Sequence, residues 1–403
     1  MKKIICLCLC MIIFIGLLSG CFNNSENLTY DKEKIDNSVV KRKGEFAFDI
    51  FKELNSADTN KNIFISPISI STALSMTYQG AKKTTKEAMA EGLRYEGIDK
   101  NTLNETYKNL LIYLKQADSK VKIDINNSIW INKGEKIKED FINANKDVFD
   151  AYIKSLDFSK KNSADKINGW ISDSTNKKIE KMINPPIDPS VVMYLINAIY
   201  FNGDWAEGFD KDKTFETEFK LENKGIKKVS MMKRKGEVEY LEKDNYKAVR
   251  LPYGDGKLSM YCILPKEGKK LKELISKMNT NMLENINKDI VKTDDVIIQI
   301  PRFKIEYGVK KLNDSLTKLG MGEAFEMDAN FNGIREGIFI NKVLHKAVIE
   351  VNEKGSKAAG ATVVEMKEAA SLNPKRFIAN RPFMFIIRDD EYGTILFMGK
   401  YIK

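Results

Sequence analysis

The chain has 403 residues, of which 30% are charged and 43% hydrophobic, with a formal charge of +10 at neutral pH. That length suffices for one large domain or two ordinary ones with a sizeable core, and the balance excludes wholesale disorder. The positive excess is diffuse, without an aromatic-interleaved basic cluster or a nucleic-acid motif, so nucleic acid is not an expected partner.

Lys2 and Lys3 precede an apolar run from Ile4 to Leu18 that closes on Leu18-Ser19-Gly20-Cys21. The run is short for a membrane span and has the layout of a secretion signal, with the small residues before Cys21 resembling a bacterial lipobox. The expectation is a leader at 1–20, lipidation of Cys21, a polar tether over 21–43, and display on the outer face of the bacterial cytoplasmic membrane. Removing Lys2 and Lys3 lowers the charge from +10 to +8. Cys6, Cys8 and Cys10 leave with the leader, so Cys262 stands alone in the body and no internal disulfide is possible. It lies in the strand-like Leu258–Leu264 run, the setting of a buried small hydrophobe.

Phe46, Ile50, Phe51 and Leu54 recur at helical spacing. A short strand, Asn62–Ile65, meets Ser66-Pro67, an N-cap followed by proline in the first helical turn. Thr84 to Glu87 and Thr102 to Glu105 have capping-box spacing and are expected to open two helices. Alternation over Val121–Ile131 predicts a strand, and a helix follows around Phe141, Val148, Phe149 and Tyr152. Another begins at Ile167, Trp170 and Ile171 and ends before Pro185-Pro186. Val191–Phe201 is apolar almost throughout, as in a strand covered on both faces, with Asn197 interrupting it. Val229–Leu264 alternates strands and turns. Helical spacing returns in Leu271–Met278, then a strand over Val296–Ile305 made irregular by Pro301, then a helix through Val309, Leu312, Leu316 and Leu319 that stops at Gly320.

The stretch from Glu350 to Pro382 contains a strand-like run with no evident pairing partner. By parity, Ser356, Ala358, Gly360, Thr362, Val364 and Met366 share one uncharged face, while Lys357, Glu365 and Lys367 fall on the other. The run can therefore enter a sheet with one face buried and the other wet. Gly355 opens it, and Glu368 is the first charge of inward parity. Three segments, HKA…EKG…AAGA from His345, RPF from Arg381 and LFMGK from Leu396, occur with FISPISISTALSM from Phe64 and LINAIYFNGDWAEGF from Leu195. This set resembles the serpins, in order, over about residues 44 to 403.

The resemblance implies an α+β serpin fold: a large central mixed sheet with two further sheets, about eight or nine helices, and an exposed reactive-centre loop at about 353–378. It implies an irreversible suicide-substrate inhibitor of serine and also cysteine endopeptidases. The protease attacks the loop and forms an acyl-enzyme, and the cleaved loop inserts into the sheet before water completes hydrolysis, physics for which serpin loop insertion is itself a standing example. The hinge would comprise Glu353, Gly355, Ser356, Ala358, Ala359, Gly360, Ala361 and Thr362. The scissile bond falls at Ala369-Ala370 counting forward from Glu353, or at Ser371-Leu372 counting back from Pro382. Either puts a small residue at the bond, which fits an elastase-like, subtilisin-like or papain-like target. Ser66, Ser69, Asn197 and His345 would form a polar latch across the main sheet, and Trp205 would join them in the shutter and breach of that sheet. A monomer is expected. The alternative within the fold is a non-inhibitory member cleaved as a substrate, or a surface-binding lipoprotein.

Catalysis by the chain itself finds little support. His345 is the single histidine, no GxSxG, HExxH or CxxC pattern accompanies it, and neither a metal-ligand cluster nor a cofactor loop is evident.

Overall fold

The computed structural model describes residues 29–222, 225–356 and 374–403. In chain order the first part holds α1 (Asn37–Ala57), β1 (Ile63–Ile65), α2 (Pro67–Tyr78), α3 (Lys83–Leu93) and α4 (Lys100–Gln116). There follow β2 (Val121–Asn132), α5 (Glu139–Phe149), β3 (Tyr152–Leu156), α6 (Ser163–Ser174) and β4 (Met193–Asp204). A β-rich middle contains β5 (Phe215–Lys220), β6 (Ile226–Glu242), β7 (Tyr246–Tyr253) and β8 (Leu258–Pro265). Then come α7 (Leu271–Lys277), α8 (Thr280–Asp289), β9 (Val291–Pro301), β10 (Phe303–Glu306), β11 (Lys310–Lys311) and α9 (Asn313–Leu316). The last strands are β12 (Leu344–His345), β13 (Val348–Val351), β14 (Gly355–Ser356), β15 (Arg376–Ile378), β16 (Phe383–Asp389) and β17 (Ile395–Tyr401).

The fold is the mixed α+β architecture expected. One nine-stranded sheet runs β1-β17-β16-β8-β7-β6-β9-β15, with β5 beside β6. Every residue of β8, β16 and β17 is buried, as strands covered on both faces require. The sheet expected to carry the latch is divided. One piece is β14-β4-β2-β3 and the other is the β10-β13 pair, with β11-β12 separate. Among the described residues no ladder joins β4 to β12 or β13.

Local sequence accounts for several elements. Ser66 caps α2 by accepting from the Ser69 N–H, with Pro67 in the first turn, and α2 is then buried nearly all round between the two main sheets. Pro301 ends β9, and the chain resumes as β10 at Phe303. Cys262 is fully buried, and burial pushes its thiol well above the usual range.

Other expectations need correction. The body begins before residue 44. Asp36 caps α1 by accepting from the Ser38 and Val39 N–H groups, Val39 and Val40 are buried, and the Lys43 ammonium lies 3.4 Å from the centre of the Tyr107 ring. The two capping boxes do not form as expected. α4 is capped by Asp99, whose carboxylate accepts from the Thr102 N–H, and α3 starts at Lys83 behind Lys82 without a side-chain cap. Tyr152 belongs to β3 and not to α5, which ends at Phe149 with Asp150 in the left-handed region. Val309 is exposed and precedes α9. α8 leaves little trace in the sequence, since only Leu283 and Ile286 carry its buried face. The loop's expected downstream limit at 378 falls inside β15, whose residues pair in parallel with Ile297, Ile298 and Gln299 of β9.

Candidate functional site

β13 ends at Val351, and the chain reverses within four residues. Asn352 and Gly355 exchange backbone hydrogen bonds, Asn352 N–H to Gly355 O at 3.0 Å and Gly355 N–H to Asn352 O at 3.2 Å. Gly355 and Ser356 then run antiparallel to β4, opposite Asp204 and Gly203. The hinge therefore sits as the beginning of a strand at one end of the slot between β4 and β13. Gly355 has φ +144°, and a Cβ there would stand 2.2 Å from the Gly203 carbonyl oxygen, so the position requires glycine. Ser356 is buried with its hydroxyl 3.0 Å from the Tyr253 hydroxyl. That is the inward parity the sequence assigned to it.

The turn is held from several sides. Trp205 N–H donates to Lys354 O at 2.8 Å, its indole Nε1–H to Asn352 O at 3.0 Å, and its ring stacks on Tyr253 with centroids 4.4 Å apart. Phe209 N–H donates to Glu353 O at 2.7 Å. The Glu353 side chain, 2% exposed, accepts from Thr214 Oγ1 at 2.7 Å and from the Arg302 guanidinium. Burial alone would raise this carboxyl, but hydrogen bonds from Arg302 and Thr214 outweigh it and hold it below the ordinary carboxylate range.

Further along the slot the arrangement differs. The His345 ring accepts at Nε2 from the Ser66 N–H, 3.1 Å away, while Ser66 Oγ donates to Leu396 O at 2.8 Å and accepts from the Ser69 N–H. An imidazole accepting at Nε2 is neutral with its proton on Nδ1, and burial pushes its pKa down to about 4. Asn197 belongs to another network. Its Nδ2 donates to Asn127 Oδ1 at 2.7 Å, and Asn127 donates to Phe149 O at 2.6 Å. Among the described residues the buried Asn197 Oδ1 has no hydrogen-bond partner. The expected latch is thus present as two halves, Ser66–His345 and Asn127–Asn197. They face each other across a cavity of about 840 Å³ lined by both His345 and Asn197.

That cavity corrects the reading of Val191–Phe201 as a strand covered on both faces. Met193, Tyr194 and Leu195 are only half-buried, because the β4 edge beside them faces the slot. Ile179, Ile183 and Ile187, in the segment between α6 and β4, cover one side of the cavity.

Of the residues named from sequence, Glu353, Gly355, Ser356 and Trp205 meet at the hinge, and Ser66, Ser69 and His345 meet one another. Ala358, Ala359, Gly360, Ala361, Thr362, both candidate bonds (Ala369-Ala370 and Ser371-Leu372) and Cys21 lie outside the described residues. Sequence reasoning missed Asn127, Thr214, Tyr253 and Arg302. Asn127 had a signal: it is a polar residue on the parity of Val121, Ile123 and Ile125, which faces the core. Arg302 and Thr214 had none, since only the tertiary fold brings them to Glu353. Among the described residues there is no cluster of metal-ligating side chains.

A family model described as serpin (serine protease inhibitor) matches residues 41–403. An uncharacterized serpin-like protein of Thermococcus kodakarensis is 33% identical over 434 aligned positions, covering 100% of this chain and 99% of its own length. Intracellular coagulation inhibitor 2 of Tachypleus tridentatus is 32% identical, with 97% of each chain covered. Among solved structures, the native state of the thermophilic serpin Tengpin superposes with a TM-score of 0.82 at 32% identity, covering 92% of this chain and 95% of that one.

Proposed function

Because the chain belongs to the serpin family, whose members are mostly protease inhibitors and not catalysts, we propose that it is itself an irreversible suicide inhibitor of serine and also cysteine endopeptidases. The observation that carries this reading is the hinge: Gly355 and Ser356 already lie as strand residues against β4, at the head of a slot that is otherwise unfilled among the described residues. In the proposed sequence a protease nucleophile attacks a loop carbonyl at Ala369-Ala370 or Ser371-Leu372, and the new amino terminus leaves with the downstream half. The upstream half then extends the strand begun at Ser356, pairing with β4 on one side and β13 on the other, and carries the acyl-enzyme with it. Insertion competes with deacylation. A strand that is already started shortens insertion, since the costly closure of the first pairs is complete.

His345 does not serve as a base in this scheme. Its acceptor nitrogen is occupied by the Ser66 N–H, and its role is to fix β12 against the start of α2. The small residues at either candidate bond favour elastase-like, subtilisin-like or papain-like targets. The same proposal includes lipidation of Cys21 and display of a monomer on the outer face of the bacterial cytoplasmic membrane, supported by the Leu18-Ser19-Gly20-Cys21 sequence.

Mixing the protein with pancreatic elastase, subtilisin and papain, followed by denaturing gels and mass spectrometry, tests the reading. A band of summed mass, with a released peptide beginning at Ala370 or Leu372, is expected. Clean loop cleavage by all three without a complex would support the non-inhibitory alternative.

A further inference from the structure

The C-terminal end of α2 and the first turns of α3 and α4 meet at one corner, and lysines converge there. Lys82 and Lys86 stand one turn apart at the start of α3, where the Lys86 N–H donates to the Lys82 carbonyl at 3.1 Å. Lys100 opens α4. Its ammonium is pushed below its ordinary range first by burial and then by the Lys82 and Lys86 charges, so the three lie close enough to repel one another. Asp140 opposes that repulsion more weakly. Among the described residues no carboxylate forms an ion pair with any of the three.

Nearby acids are committed elsewhere. Asp99 caps α4, accepting from the Thr102 N–H at 2.9 Å, and Glu323 accepts from the Thr84 and Thr85 hydroxyls. With those hydroxyls drawn away, α3 begins without a side-chain cap and adds the positive end of its dipole beside Lys82. Behind the lysines lies an unfinished polar contact. Gln79, 8% exposed, donates from Nε2 to Asn104 Oδ1 at 2.7 Å, and its own Oε1 is buried without a partner among the described residues. Asn104 stands one turn after Lys100 on the same face of α4. The Lys86 ammonium lies 5.6 Å from the centre of the ring of Tyr78, the residue before Gln79. Turned over together, the two amides keep their mutual bond and leave Gln79 Nε2–H as the free group. The corner then offers an N–H donor beside three ammonium groups, the donor set that an oxyanion takes.

We propose that this corner binds a phosphate group, free or carried along a polymer, through Lys82, Lys86, Lys100 and the Gln79 amide. An anion placed among them replaces mutual repulsion with three attractions and gives the Gln79 amide its missing bond. The partial burial of Lys100 reduces the screening that weakens such attractions at an open surface. Phosphate fits the donor set because its tetrahedral oxygens can accept from several ammonium groups at once.

The full chain is titrated with inorganic phosphate, and separately with polyphosphate at equal phosphate concentration, by calorimetry and by urea denaturation at an ionic strength held constant with chloride. Phosphate is expected to raise the urea midpoint. K82Q/K86Q/K100Q is expected to bind at least about tenfold more weakly and to be no less stable in chloride alone, because removing like charges relieves repulsion. Gln79→Glu supplies the missing negative charge itself, so it should raise the midpoint in chloride and abolish the phosphate response. K108Q/K115Q, at exposed positions further along α4, should bind as the unsubstituted chain does. Binding of inorganic phosphate supports the free form as ligand. Binding of polyphosphate alone, lost in K82Q/K86Q/K100Q and kept in K108Q/K115Q, supports the polymer-borne form. No binding of either, equal binding by the unsubstituted chain and K82Q/K86Q/K100Q, or an equal loss in K108Q/K115Q overturns the site.

Discussion

At one end of β4, Gly203 and Asp204 are paired with Ser356 and Gly355, and the turn behind them is tied by Trp205, Phe209, Thr214 and Arg302. Toward the other end, Met193 to Ile199 face a cavity, and the Asn197 side-chain Oδ1 is buried without a partner among the described residues. The same strand is thus finished at its head and unfinished along its length. An unpaired buried amide and an unfilled cavity both cost free energy, which an entering strand would recover. On the proposed function, the apolar run Val191–Phe201 makes sense as a sequence for a sheet that an inserted strand has filled. On this reading the native state persists by a kinetic barrier.

The largest expected effect comes from closing the head of the slot to the loop. Ser356→Arg would bury a guanidinium against Tyr253 at a cost of several kcal/mol. Denaturing gels should show the covalent complex nearly abolished while cleavage of the loop continues. Gly355→Ala attacks the same end through the backbone, where positive φ and the 2.2 Å approach to Gly203 O leave no room. It should cost about 3 kcal/mol, read as a lower urea midpoint.

The unfinished region should answer to pH. The His345 pKa is depressed to about 4 by burial, below its unfolded value, so the folded state binds fewer protons. Its contribution to stability is intact above the unfolded pKa and is lost as pH falls toward 4, on the order of 3 kcal/mol. His345→Phe should flatten that segment of a stability-against-pH curve measured by chemical denaturation. Least affected should be Asn197→Ala. One of its two polar atoms is already unpartnered, so the loss should be about 1 kcal/mol by equilibrium denaturation. A cost as large as that for Gly355→Ala would mean that the two regions are equally well built.

The sequence revealed features whose causes are local. The Ser66-Pro67 cap, the Pro301 break, the burial of Cys262 and the inward parity of Ser356 each depend on a few neighbouring residues. Features set by distant partners were not legible. Val39 and Val40 sit between polar neighbours and read as tether, yet packing makes them core. Thr102 resembled a cap, but Asp99 three residues earlier performs that role with a charged acceptor. The sequence reading places His345 and Asn197 in one latch, whereas the structure has them in separate networks. Their separation could not be read, because strand pairing across the slot is a long-range property that neither segment encodes alone.

Hydrogen exchange along β4, measured before and after a single nick in the loop, tests most directly whether the sheet is finished at its head and waiting along its length. The account predicts fast exchange in the intact protein for the alternate amides of Met193–Ile199 that point away from β2, slowed markedly by the nick, with Gly203 and Asp204 protected in both states. Equal exchange over Met193–Ile199 before and after the nick would contradict it.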